Sequence, residues 1–175
     1  KNKKKMNKKK GIVFWIEGFS GSGKTSISKN IKKDLSKMFG KTIILSGDIL
    51  RKFFDRSGYS KKERIKISYK TSEILKYLTE ENLNIIYSAV CLNNAARNIY
   101  KKKISNFFQI YIKSDIRKIL KLKKKNTYKN KKNIVGIHIE PEYPNRPHII
   151  LENNFDKSVK KLSKELVIEI KKKLK

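Results

Sequence analysis

The sequence predicts an α/β fold with a parallel sheet covered by helices on both faces. Three observations carry this expectation. Short apolar runs alternate with segments of helical period. The first run, Ile12-Val-Phe-Trp-Ile16, leads straight into a glycine-rich loop and then a helix. The length of 175 residues suits one domain with one core.

Along the chain, Lys1–Lys10 reads as a basic tail and residues 11–175 as the domain. The tail and the apolar run after it resemble a secretory leader only superficially, because that run is short and meets Glu17 and the loop. Ile12–Ile16 is rich in β-formers without alternation, as expected of a strand buried on both faces. In Thr25–Phe39, Ile27, Ile31, Leu35 and Met38 form one stripe, and Gly40 ends it. Thr42–Leu45 reads as a second strand, Asp48–Phe54 as a short helix, and Gly58 as a turn. Lys61–Thr79 reads as a helix, Asn84–Tyr87 as a third strand and Asn94–Lys103 as a helix. Phe107–Ile112 reads as a fourth strand, with Ile116–Leu122 in a helix. Asn126–His148 carries all three prolines, with Gly136 and little periodicity, and reads as a long loop of the kind that forms lids. Ile149–Leu151 is a last strand and Lys157–Leu174 the closing helix, with Leu162, Leu166 and Ile170 on its core stripe.

Composition narrows the function classes. The formal charge is +30, a field that attracts polyanions. Of the 45 basic residues, however, six are Arg and 39 are Lys. Lys, Asn, Ile, Phe and Tyr are abundant together, so AT-rich coding explains the charge without a partner. Arg is the residue that forks onto phosphate and bases. A single cysteine, Cys91, excludes an internal disulfide and a cysteine metal cluster and fits a reducing, cytoplasmic setting. No apolar run approaches the roughly 18 residues that span a bilayer.

The chemistry starts at Gly18-Phe-Ser-Gly-Ser-Gly-Lys-Thr25, a complete G-x-x-x-x-G-K-[ST] loop between strand and helix. Glycines at 18, 21 and 23 permit a tight loop whose N–H groups aim at phosphate oxygens. The helix start adds positive potential. Phe19, Ser20 and Ser22 contribute main chain, Lys24 reaches the β- and γ-phosphates, and the Thr25 hydroxyl takes a place on Mg²⁺, with Ser26 beside it. The expected cofactors are therefore ATP and Mg²⁺.

The acceptor side begins at Ser46-Gly-Asp-Ile-Leu-Arg51. A carboxylate at Asp48 can take a proton from an attacking hydroxyl, and Arg51 can hold an anion. Asp48 is equally suited to cap a helix. Together, GFSGSGKTS, LSGDILR and GYSKKER resemble the adenylylsulfate kinase family's G-L-S-G-[SA]-G-K-[ST]-T, D-G-D-x-x-R and G-F-S-x-x-D-R. Gly136–Pro147 is similar to its G-I-D-D-P-Y-E-x-P-x-x-P segment. The likeness spans most of 11–155, strongest in the first third.

The resemblance implies a five-stranded parallel P-loop kinase sheet and phosphorylation of the ribose 3′-hydroxyl of adenylyl sulfate. It places Asp48 as the acceptor-side catalytic aspartate beside Lys24. It places Arg51, Tyr59, Arg64 and Ile137 at substrate-contacting positions, with Lys125 near the lysine of K-G-L-Y. Cys91 falls in Val90–Asn93, where the family has I-S-P-Y, and counts with the substrate positions; packing at the sheet's carboxyl edge is its other reading. Ser46 replaces the first Asp of D-G-D, and Ile67 stands for the asparagine of E-N-I-R-R. The donor half is intact and the acceptor half rewritten. That pattern is similar to kinases found with surface-polysaccharide genes, one of which acts on cytidine diphosphoramidate. The expected partner is a small nucleotide, with no membrane and no nucleic acid; the resemblance leaves room for a homodimer.

Two other classes compete. Asp55-Arg-Ser-Gly58 satisfies the D-x-x-G of GTPase switches, but no N-K-x-D guanine motif accompanies it. A nucleic-acid-binding P-loop protein is supported by charge alone. His138 reads as a solvated loop residue and Trp15 as core.

Overall fold

The computed structural model describes residues 10–54, 58–122, 128 and 132–174. Lys125 and most of the Asp55–Gly58 motif lie outside the described residues.

Five strands form one all-parallel sheet in the order β2-β3-β1-β4-β5: β1 Val13–Glu17, β2 Thr42–Ser46, β3 Asn84–Ala89, β4 Phe107–Lys113 and β5 Ile149–Glu152. Six helices accompany it among the described residues: α1 Lys24–Phe39, α2 Gly47–Phe53, α3 Lys61–Glu80, α4 Asn94–Lys103, α5 Ile116–Lys121 and α6 Val159–Leu174. Every residue of β1, the central strand, is buried. Phe14 and Ile16 point to one face, where they meet Ile27, Ile31 and Leu35 of α1 and Leu162, Leu166 and Ile170 of α6. Val13 and Trp15 point to the other, toward Leu75 of α3 and Ala96 and Tyr100 of α4. The two-residue period of a strand thus builds two cores from one apolar run. Trp15 packs 4.9 Å from Tyr100 and 5.5 Å from Phe107, as a core residue should.

Strands extend further toward their carboxyl ends than the apolar runs predict. β1 reaches Glu17, β2 Ser46, β3 Ala89 and β4 Lys113. Main-chain pairing continues past the last apolar residue because the neighbouring strand still offers partners. These ends converge on one edge of the sheet, where ligands sit in open α/β folds.

The long loop is less irregular than predicted. Ile134–Ile139 makes a tight turn in which the His138 and Ile139 amides donate to Ile134 O (2.8 and 3.1 Å), with a Val135–Ile139 bridge. Ile134 and Val135 are buried. At the other end of the domain Lys10 is tied down: its ammonium pairs with Glu80 at 3.1 Å and its carbonyl accepts from Asn106 at 2.8 Å. No helix among the described residues is long and apolar enough to cross a membrane.

Candidate active site

The carboxyl edge opens into a cleft of about 770 Å³, of a size that encloses small-molecule ligands. Its floor is the loop from β1 to α1. Gly21 and Gly23 adopt φ of 79° and 91°, which residues with a side chain rarely do. A Cβ on Gly18 would come within 2.7 Å of Ile112 O, so the loop lies against the end of β4. Gly23 precedes α1 with no side-chain cap, which leaves the first amides of the helix without a capping group. The Lys24 ammonium is buried and donates to Gly18 O (3.0 Å) and Phe19 O (2.6 Å). Thr25 and Ser26 are exposed in the cleft wall beside it.

Ser20, Gly21, Gly23, Lys24, Thr25 and Ser26 line the cleft; Gly18, Phe19 and Ser22 do not. Phe19 buries its ring behind the loop, among Leu92, Tyr111, Ile119 and Val135. Ser22 is held from behind, its carbonyl accepting from Asn153 Nδ2 at 3.0 Å.

On the opposite wall, Ser46 caps α2 by accepting the Ile49 amide at 3.3 Å. The capping alternative weighed for Asp48 is therefore filled by Ser46. Asp48 is the second residue of the helix, exposed and in the cleft wall. One turn on, Arg51 donates to Gly58 O and lies 4.3 Å over the Tyr59 ring, a cation–π contact. Arg64 is buried and lies 5.6 Å from the same ring. A capping box fixes the turn that carries it, with Ser60 and Glu63 exchanging hydrogen bonds. Its guanidinium donates to Tyr59 O (2.9 Å), Val90 O (2.9 Å) and Asn133 O (3.1 Å), joining three segments. Burial, and then Arg51, lower the Arg64 pKa. Neither guanidinium forms an ion pair among the described residues. Two neighbouring guanidiniums outside any ion pair are groups suited to an anion.

Below Arg64 the wall turns neutral. Ile67 is 5% exposed; Ser68 Oγ donates to Arg64 O at 2.8 Å and sits 3.6 Å from Cys91 Sγ. Burial pushes the Cys91 thiol up to about 11, so it stays protonated. Tyr59, Arg64, Cys91, Arg51 and Asp48 thus share one wall. Ile137, by contrast, is 47% exposed at the tip of the Ile134–Ile139 turn, outside the cleft lining.

Sequence reading missed three features. Asn153 and Phe155, after β5, line the cleft as well; they lie just past the carboxyl end of their strand, as Gly47 and Asp48 do past β2, which is the available signal. Tyr128 donates to Ser20 O at 2.6 Å and braces the loop tip. Glu17, last in β1, is buried with Arg97 and Gln109 as partners.

A parallel sheet, a phosphate-cradling loop with a buried lysine, and a facing wall of carboxylate and guanidinium groups define a P-loop phosphotransferase. The adenylylsulphate kinase family model matches residues 10–152, and the chain belongs to that family. It is a kinase. Over 164 residues it is 27% identical to the cytidine diphosphoramidate kinase of Campylobacter jejuni, covering 89% of this chain and 96% of that protein. Over 162 residues it is 31% identical to the adenylyl-sulfate kinase of Clostridium acetobutylicum, covering 89% and 81%. In fold it is similar to the Mycobacterium tuberculosis APS kinase CysC in complex with AMPPNP and APS, with a TM-score of 0.81, 21% identity and coverage of 93% and 98%.

Proposed function

We propose that this kinase moves the γ-phosphoryl group of ATP onto the ribose 3′-hydroxyl of a small nucleotide whose acidic group rests against Arg51 and Arg64. The observation that carries the reading is the pairing of two guanidiniums on Tyr59, neither in an ion pair among the described residues, in the cleft that the Lys24 loop also lines.

The triphosphate lies on the amides of Gly21–Thr25, with Lys24 leaving Gly18 O and Phe19 O to reach it. Asp48 orients the acceptor hydroxyl and takes its proton. The new O–P bond forms as the bond to the β-phosphate oxygen breaks, and ADP leaves. The Thr25 hydroxyl, exposed in the cleft next to Lys24, fits a Mg²⁺ ligand, with Ser26 adjacent. When bound, that ion offsets charge on the phosphates. The segment after Lys132 walls the acceptor and limits access of water. The enzyme works in the cytoplasm on this reading.

Two acceptors meet the description. Adenylyl sulfate is the one that the family resemblance implies, supported by Asp48, Arg51 and Arg64 at matching positions. Cytidine diphosphoramidate is favoured by a specific observation. Ile67 puts a buried apolar side chain in the acceptor wall where the family pattern has an asparagine. A site that has exchanged a polar partner for an apolar one rejects the ligand that needed it. Steady-state kcat/KM for both nucleotides, followed by ADP release, tests the proposal. Transfer to one in clear preference supports it; ADP release indifferent to either acceptor refutes it.

A further inference from the structure

The phosphate loop and the acceptor wall meet at one side chain. Phe19 is 2% exposed, and its ring lies behind the loop, away from the cleft. Its carbonyl accepts the Lys24 ammonium. Its ring is the seat of the turn that follows Lys132. Gly136, at φ 91°, lies so close that a Cβ there would be 2.7 Å from Phe19 Cε1. Tyr143 packs edge-on against the same ring at 6.3 Å and 89°. Tyr128, on the other side of that turn in sequence, holds Ser20 O. One to four residues before Gly136, Lys132–Val135 line the acceptor side of the cleft, and Asn133 O receives Arg64 Nη2. A short path thus runs from Lys24 through the Phe19 carbonyl and ring to Gly136, then to Asn133 and Arg64.

We propose that Phe19 is a positioning residue that couples the donor site to the acceptor site, its main chain holding Lys24 and its ring setting the turn that holds Arg64. Lys24 must exchange the Phe19 carbonyl for phosphate oxygens when ATP binds. The Phe19 peptide then loses a charged partner. Interiors are close-packed, so a shift of this ring is passed to whatever rests on it. Gly136 rests on it with no side chain between. The coupling rests on the proposed acceptor role of Arg64, but its first half, from phosphates to turn, does not.

The test has two arms. Hydrogen exchange at Gly136–Ile139 is measured with and without AMPPNP and needs no acceptor. AMPPNP alters exchange there in the wild type, and Phe19→Ala removes that response while still binding AMPPNP. In the second arm, with the acceptor that the wild type turns over, Phe19→Ala raises the acceptor KM about tenfold and the ATP KM by less. Phe19→Leu restores most of both. Gly136→Ala, which leaves the ring in place and pushes the turn away, gives the same split and stands in should Phe19→Ala fail to fold. Exchange at the turn that ignores AMPPNP in the wild type, or variants that raise both KM values equally, overturn the proposal. Failure of both acceptors to react, with the exchange response intact, refutes only the acceptor reading.

Discussion

Arg97 of α4 reaches across to the last residue of β1, its Nε 3.3 Å from each carboxylate oxygen of Glu17, with the two side chains 3% and 0% exposed. Gln109 of β4 also donates to Glu17, and Arg97 donates onward to Asn94 Oδ1 and Glu142 O. Glu142 in turn receives the Asn94 amide at 2.7 Å and pairs with Lys61 at 2.6 Å. The root of the phosphate loop, the start of α4, the proline-rich segment and the start of α3 are therefore joined by one network. Burial raises the Glu17 pKa, against Arg97 and Gln109, which lower it.

Removing one partner of such a pair leaves a buried charge unmatched. Arg97→Met should cost about 3–5 kcal/mol in urea denaturation. Arg97→Met with Glu17→Gln should recover at least half of that, because no bare charge remains. A double variant as unstable as the single one would show that the network matters for its hydrogen bonds rather than its charge.

Lys24 is predicted to act on transferred charge. Lys24→Ala should lower kcat about a hundred- to a thousandfold or more. Steady-state turnover checks this, with a melting curve to establish that the variant is folded. A turnover within a few-fold of wild type would remove Lys24 from the mechanism.

Asp48 is predicted to serve the chemical step rather than nucleotide binding. It sits in the cleft wall while Ser46 caps the helix. Asp48→Asn should lower kcat by about a hundred- to ten-thousandfold and leave AMPPNP affinity within about threefold. Calorimetry and turnover on the same preparation provide the comparison. Loss of AMPPNP affinity with kcat retained would reassign the carboxylate to the donor.

His148 predicts a pH dependence. Its Nδ1 accepts the Gln109 amide at 2.9 Å and its own amide donates to Gln109 O at 3.0 Å, closing the ladder just before β5. The ring stacks on Phe108 at 4.7 Å. Burial, then Lys101 and Lys173, hold its pKa below the ordinary 6.5. The unfolded chain therefore takes up the proton first. The stabilising contribution is complete above about pH 6.5 and declines as pH falls toward the lower folded value. Between about pH 7.5 and 5.5 the wild type should lose more urea resistance than His148→Asn, which keeps an acceptor without titrating. Equal losses would contradict this.

How much was legible in the sequence follows from how local each signal is. The Gly18–Thr25 loop and the five strands are written in contiguous residues, and the sheet contains them in the expected places. Contacts between distant positions are not. Glu17 and Arg97 are 80 residues apart, and each alone reads as an ordinary surface charge. Phe19 sits inside a motif of main-chain donors, which hides that its ring faces the other way. Resemblance assigns Ile137 to the acceptor, whereas its turn leaves it 47% exposed and outside the cleft lining. Asp48 and Ser46 differ by two positions, too little for spacing to tell which of them caps the helix; the fold gives the cap to Ser46 and leaves Asp48 in the cleft wall.

The central claim is that the amides after Gly18, with the Lys24 ammonium, hold a triphosphate. An amide NMR titration of the labelled protein with AMPPNP reads those groups directly. The account predicts the largest shifts at Gly21, Gly23, Lys24 and Thr25, much reduced in Lys24→Ala. Saturable nucleotide binding that leaves these four resonances unmoved would contradict it.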